Sequence, residues 1–361
     1  MKNIIATIFV ISCLLTTTIS VNAFDITHDE APVNISGPAI IKADLYVDDD
    51  ADPDWYDEKH VKKIQTAVDR AESGDTIFVI SGTYNEHIKI EKVQPLTLIG
   101  QNKETTIIDG SIVIGSFIHG QIRNVNVKKF TIKIISPTNG GIIVGASDCT
   151  ISDINFENHC YDGGGYTPYT ACIGLVGIPY FPLPPYTIKC ENNIIRDNTL
   201  VDLNPNDDFM IVGFDLFDAD FNTIYRNEIN VDFGIWFEDG VDGANNNKVI
   251  ANTITQNQDV GIGIMPKCDN NLFYYNNFID NGIGSVFDFD NAYDDSPNNW
   301  HINIDDTGIG NYWSDYEEKY PNAKDENNDG KWDTPYNIDG AGCNKDEYPL
   351  MEPVDIYNVE I

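Results

Sequence analysis

Residues 325–333 read Asp-Glu-Asn-Asn-Asp-Gly-Lys-Trp-Asp. Side-chain oxygens stand at the first, third, fifth and ninth places, Asp325, Asn327, Asp329 and Asp333, with Gly330 sixth. That alternation lets one loop wrap a hard divalent cation, so Ca2+ in a structural role is the expected ligand. The twelfth place holds Tyr336 instead of a bidentate Glu, and Asp339 is the available substitute. No flanking helices are evident, so this is a lone loop. An acidic turn that binds nothing is the competing reading.

A second set of residues lies upstream. Gly213-Phe214-Asp215-Leu216, Gly234-Ile235-Trp236-Phe237 and Gly261-Ile262-Gly263-Ile264 read as one strand in three successive copies. Alternation sends Phe214, Ile235, Phe237 and Ile262 inward and Asp215, Trp236 and Glu238 outward. An exposed indole among carboxylates suits stacking on a sugar ring, with hydrogen bonds to its hydroxyls. Trp236 and Asp232 are therefore the expected substrate contacts. Asp215 and Glu238 would stand one copy and two residues apart, roughly 8 Å between Cα atoms. Inverting glycosidases hold their carboxyls about 6.5–9.5 Å apart, so this pair is the catalytic candidate. Against that, a repetitive face offers many such pairs, and a loop laid over Trp236 would remove the contact.

These residues need elements to hold them. Four segments, starting at Asn193, Asn222, Asn247 and Asn271, share one pattern: Asn, an aliphatic or Phe two places on, a second Asn at the sixth place, then an apolar residue at the eighth. The starts lie 29, 25 and 24 residues apart, the period of a β-solenoid coil. Weaker copies run through residues 125–132 and 149–156. The second Asn of each copy, Asn198, Asn227, Asn252 and Asn276, is read as structural. Asn tolerates the left-handed backbone of a turn, and stacked amides bond between coils.

Upstream, residues 58–72 place Val61, Ile64, Val68 and Ala71 on one helical face, ended by Gly74. Short strands are expected at 45–47, 75–80, 88–90, 96–99 and 106–108. A helix before the first coil would cap its open apolar end. The expected organisation is a signal peptide over 1–23, a leader over 24–44, a parallel β-helix over 45–310 and a C-terminal cap over 311–361. An inserted loop is expected over 157–190, rich in Gly, Pro and Tyr.

The first 23 residues carry Lys2, an apolar run and a small-residue cleavage site, the marks of export. Val10-Ile11-Ser12-Cys13 loosely resembles a lipobox, but simple secretion is the preferred reading. No second apolar run of spanning length follows. Without Lys2 the chain has 21 basic and 57 acidic residues, a net charge of −36. Such a surface repels nucleic acid and anionic membranes. Six of seven cysteines remain, an even number suited to an oxidising compartment. Cys190 and Cys268 sit three coils apart, about 14 Å, too far for a disulfide. Cys160 and Cys172, both in the insertion, are the better pair. Cys149 occupies a repeat position and reads as a small buried hydrophobe.

Residues 64–90, IQTAVDRAESGDTIFVISGTYNEHIKI, followed by LTLIG and TIIDG, resemble the opening of right-handed parallel β-helix proteins of the pectin-lyase-like superfamily. The C-terminal GNYWSDY, DTPYNI and YPLM resemble NosD-like β-helix proteins of prokaryotic surfaces. The resemblance implies an all-β, right-handed parallel β-helix on the cell surface or in the periplasm. The paired aspartate motifs of pectin methylesterases and the motif set of polygalacturonases are absent. NosD is associated with copper-enzyme maturation, yet the six His are scattered and the four Met are few, so ligand types do not point to copper.

The leading expectation is a secreted or surface protein that binds a polysaccharide or cell-surface glycan without catalysis. A polysaccharide hydrolase or lyase and a purely structural surface protein are the alternatives.

Overall fold

A computed structural model describes residues 42–116, 119–134, 140–158, 170–177, 188–203, 210–283, 290–305 and 307–359. The expected signal peptide, most of the leader and Cys160 lie outside these residues.

The strands follow from alternation. Thr76–Val79 buries Ile77 and Val79, and His87–Ile90 buries Ile88 and Ile90 while His87 and Lys89 face water. In the central coils each turn contributes three strands to three stacks. The first stack is Ile194–Arg196, Thr223–Tyr225, Lys248–Ile250 and Leu272–Tyr274. The second is Thr199–Asp202, Glu228–Asn230, Thr253–Thr255, Asn277–Ile279 and Tyr312–Trp313. The third is a separate sheet threading eight strands from His87–Ile90 to Ala292–Asp294. Every pairing between coils is parallel.

Register stacks like on like inside the tube. Ile195, Ile224, Val249 and Phe273 form one inward column, and Leu200, Ile229, Ile254, Phe278 and Trp313 another. All are essentially fully buried. Each such side chain contributes about 1.5–3 kcal/mol of transfer free energy, so this interior is the main stabilising term.

The corners are held by asparagine. Asn193, Asn222, Asn247, Asn271 and Asn298 form one ladder, in which each backbone N–H and side-chain amide donates to the Oδ1 of the next Asn, at 2.7–3.1 Å. Asn198, Asn227, Asn252, Asn276 and Asn311 form a second. A third, Asn257, Asn281 and Asn291, continues the five-residue spacing at the next corner and was not anticipated from the sequence. The left-handed backbone does not fall on these Asn. It falls on the residue before each: Asp197, Arg226, Ala251 and Tyr275 have φ of 57°, 55°, 51° and 59°. The physical reason is that the ladder Asn must keep its own N–H aligned with the next coil, so the corner turns one residue earlier.

The N-terminal helix is Ile64–Arg70, shorter than the spacing suggested, because His60–Val61 pairs as a strand with Tyr46–Val47. Its Ile64, Ala67 and Val68 join the core. The region expected as one insertion contains Thr170–Val176, a buried strand of the third sheet paired with Ile142–Val144 and Ile211–Phe217. Cys172 lies in it and is buried, so that cysteine belongs to a coil and not to a loop. Its expected pairing with Cys160 falls outside the described residues. Cys190 and Cys268 share a column of small buried residues with Ala219 and Ala244, each three places before a ladder Asn. Their thiols donate to Val144 O and Glu238 O.

The ladders run on past residue 310 and end in carboxylates. Asp346 Oδ2 accepts from the Asn311 N–H and from Trp313 Nε1 at 2.7 and 3.0 Å, and its Oδ1 accepts from the Tyr348 N–H. Asp294 receives Asn298, Trp300 Nε1, Asn344 Nδ2 and the Ser296 N–H. Asp315 receives Asn291 Nδ2 at 2.8 Å. An amide accepts on one oxygen and a carboxylate on two, so Asp absorbs the donors at the end of a stack and offers none onward. Burial raises Asp294 to about 6 and Asp346 to about 7, against the donors that pull each down. Trp300 stacks on Phe273 and Trp313 on Phe278, both at 4.3 Å, and Tyr336 on Trp313 at 4.1 Å, closing the tube with rings. The NYWSDY and DTPYNI motifs therefore build a lid for the core.

Candidate functional site

The outer face of the third sheet carries the proposed contacts. Register sets Gly174, Asp215, Trp236, Gly263 and Tyr293 side by side, with Phe217 beside Glu238 two residues on. Asp215 and Glu238 do project from the face that Trp236 occupies, one coil apart. The expectation that all three stand in water does not hold. Asp215 is 1% exposed, Glu238 and Asp232 are 6% exposed, and Trp236 is half-buried.

The cause is a bend. Gly213, Gly234 and Gly261 stack at one register, and a side chain on Gly234 would collide with Gly261 O and with Ile254. Only glycine lets the strand turn that tightly against the core. The residues just before the bend gather instead into a second apolar cluster of Ala171, Val212, Phe233 and Val260. Trp236, Tyr293 and Met210 pack against it. The Trp236 ring meets Phe233 edge-on at 5.4 Å and covers the backbone of Gly263, where any side chain would overlap it. Asp232 is tied to the neighbouring strand. Its Oδ2 accepts the Ile211 N–H at 2.7 Å and fixes the start of the neighbouring strand. The site is thus an aromatic shelf in an acidic surround. Trp236 was legible from its strand phase, whereas Tyr293 was missed because its strand lies in a coil without the usual Asn pattern.

The loop at 325–333 is closed by its own side chains. Asp325 accepts from the Asp329 and Gly330 N–H groups, Asn327 from the Asp329 N–H, and Asp333 from the Glu326 N–H, at 2.7–3.1 Å. Lys331 Nζ lies 3.3 Å from Asp329 Oδ2. Among the described residues the acidic group whose ligand atoms come within 4.8 Å of one another is Asp48, Asp49 and Asp50, not this loop.

A stacked, ladder-cornered tube of this kind is a parallel β-helix protein. Residues 186–318 match the family described as periplasmic copper-binding protein (NosD), a span that contains the GNYWSDY motif and ends before DTPYNI and YPLM. No protein of curated function matches the chain. Among solved structures the chain is similar to a PL6-family alginate lyase, with 12% identity over 68% of this chain and 36% of that one, at TM-score 0.38. It therefore spans about a third of that enzyme's length. It is also similar to the A-module of the mannuronan C-5 epimerase AlgE6 of Azotobacter vinelandii, with 12% identity over 69% and 79% of the two chains at TM-score 0.35. A third is a pectin methylesterase in complex with a hexasaccharide, with 12% identity over 77% and 95% at TM-score 0.31. At these scores the likenesses carry no functional argument, and the fold rests on the register above. Among the described residues no helix is long and apolar enough to cross a membrane.

The copper of that family description does not fit the described residues. Of the four described histidines, His60 stacks on Tyr46 and bonds Asp57, His87 bonds Ser111, His119 follows the turn whose Ser116 hydroxyl accepts its N–H, and His301 packs on Tyr348. Burial raises the thiols of Cys149 and Cys268 to about 12, and raises Cys190 as well, which keeps them protonated.

Proposed function

We propose that this is an exported β-helix protein of the cell surface or periplasm, carried there by its N-terminal signal, that binds polysaccharide on the shelf around Trp236 without catalysis. The observation that supports this is the indole seated across Gly263, flanked by Phe233 and Tyr293 and bordered by carboxylates. Rigid aromatic faces offer stacking area for a sugar ring. Asp215 and Glu238 present too little surface to flank a glycosidic bond, which favours binding over hydrolysis. On a glycan array followed by calorimetry, Trp236→Ala weakens binding by about 1 kcal/mol. Asp215→Asn and Glu238→Gln alter affinity modestly, and no reducing ends appear. Unchanged affinity in Trp236→Ala removes this face. Reducing-end release that is lost in either carboxylate variant establishes the hydrolase instead.

We further propose that the 325–333 loop takes Ca2+ to stiffen the C-terminal cap, with Asp325, Asn327, Asp329 and Asp333 turned inward from their present backbone partners. A ligand bound only by the folded state raises stability by mass action. EDTA then lowers the melting temperature, Ca2+ restores it, and Asp329→Ala abolishes the response. An undiminished Ca2+ response in that variant assigns the ion to other residues.

A further inference from the structure

The charge around the Trp236 shelf narrows its ligand. From residue 191 to 302, the central and C-terminal coils, the chain has 20 acidic residues and four basic ones, Arg196, Arg226, Lys248 and Lys267. Among the described residues these four have other partners or lie on another side of the tube: Arg196, in the first stack, pairs with Asp197. Arg226 binds Ile356 O and Val359 O of the C-terminal tail at 3.2 and 2.9 Å. Lys248 stands in the first stack, on another side of the tube. Lys267 Nζ lies 3.5 and 3.4 Å from Gly240 O and Val241 O. Lys319, in the cap, is shared between Asp290 and Asp315 at 3.0 and 2.9 Å. Asp215 and Glu238 lie buried beside Trp236, and the part-exposed Asp295 bonds the Tyr293 hydroxyl.

From this we infer that the shelf takes a glycan free of carboxylate and sulfate groups, a neutral hydroxyl-rich polysaccharide. This rests on the glycan reading above and specifies it. The carboxyl oxygens of Asp295 at the edge of the shelf accept hydrogen bonds, and sugar hydroxyls supply the donors. A uronate polymer brings one negative charge per residue. It would meet like charges here, and the described strands of this face carry no Arg or Lys to neutralise it. Neutral sugar rings carry an apolar C–H face that matches the half-buried indole, and they incur no Coulomb penalty.

The test titrates the full exported chain with two sets of hexasaccharides. One set is neutral: gluco-, xylo- and mannohexaoses of different linkage. The other is anionic: hexagalacturonate, hexamannuronate and hexaguluronate. Each is measured at low and high NaCl and with EDTA or Ca2+. At least one neutral ligand binds, its Kd changes less than about twofold from low to high salt, and Trp236→Ala weakens it about fivefold to tenfold. The uronates bind at least about tenfold more weakly than that ligand, with or without Ca2+. Tighter binding of a uronate, with no neutral ligand bound as well, overturns the charge inference and leaves the glycan reading standing. Binding of neither set overturns both. Neutral binding that Trp236→Ala leaves intact places the ligand elsewhere and overturns the assignment to this shelf.

Discussion

Asn252 shows what one ladder residue does. Its Oδ1 accepts from the Asn227 N–H and Nδ2, and its own N–H and Nδ2 donate to Asn276 Oδ1. Nδ2 also reaches Ile224 O at 3.0 Å. Asn252→Ala takes the acceptor from the Asn227 N–H and Nδ2 and removes one of the two donors to Asn276 Oδ1, at a cost of about 1–3 kcal/mol. Asn252→Asp costs more, because it sets a carboxylate against Asn276 Oδ1 where an N–H2 stood. Urea unfolding of the two variants checks the order, and an aspartate tolerated as well as alanine would sink the ladder account. Asn recurs, so this column was legible in the sequence. The left-handed residues beside it were not, because they share no side-chain type: Arg226, Ala251 and Tyr275 all take the conformation. Three or four bonds per rung offset the roughly 1 kcal/mol that each left-handed residue costs.

The cap is the element most shaped by charge. Asp294 and Asp346 are raised by burial to about 6 and about 7 from an ordinary 3.8. The folded chain therefore holds their protons more tightly than the unfolded chain does. Their stabilising contribution is full below about pH 4 and is lost as pH rises through 6 to 7. The surrounding acidic surface repels itself over the same range, so the comparison with a variant is what isolates the cap. Asp346→Asn flattens the fall in melting temperature between pH 4 and pH 8 relative to the parent, and an identical slope in both proteins would show that Asp346 does not titrate there. Elements with clean alternation were readable from the chain, including the strands from residue 45 to 109. Thr170–Val176 was not, because it is small, apolar and without exposed partners, and it sits between Gly- and Pro-rich stretches. The bend at Gly213, Gly234 and Gly261 was equally hidden. Simple alternation assumes a straight strand, so it left Trp236 fully in water and missed the apolar cluster beneath it.

At the scale of the whole molecule, fold and site obey different rules. The tube needs apolar columns and Asn corners, and its sequence repeats them, which made the architecture plain. The shelf depends on departures from the repeat, a Trp in one coil facing a Gly in the next, and a departure has no period to reveal it. The C-terminal tail adds to this: Val354 bonds Asn277, and Tyr357 OH reaches Glu228 Oε1 at 3.2 Å, so the last residues run back over coils far from them in sequence. The ladder also works as punctuation in a text whose lines can be removed. Every rung receives the same bonds and passes on the same bonds, so the corner cannot tell which coil comes next. Excising residues 247–270 in frame brings Asn271, Asn276 and Asn281 to the rungs left by Asn247, Asn252 and Asn257. The shortened protein folds cooperatively to a tube about 4.8 Å shorter, measurable by circular dichroism and small-angle scattering; a chain that fails to fold would refute the interchangeability of coils. The same excision sets Tyr293 where Gly263 lay under Trp236 and so erases the shelf while sparing the architecture.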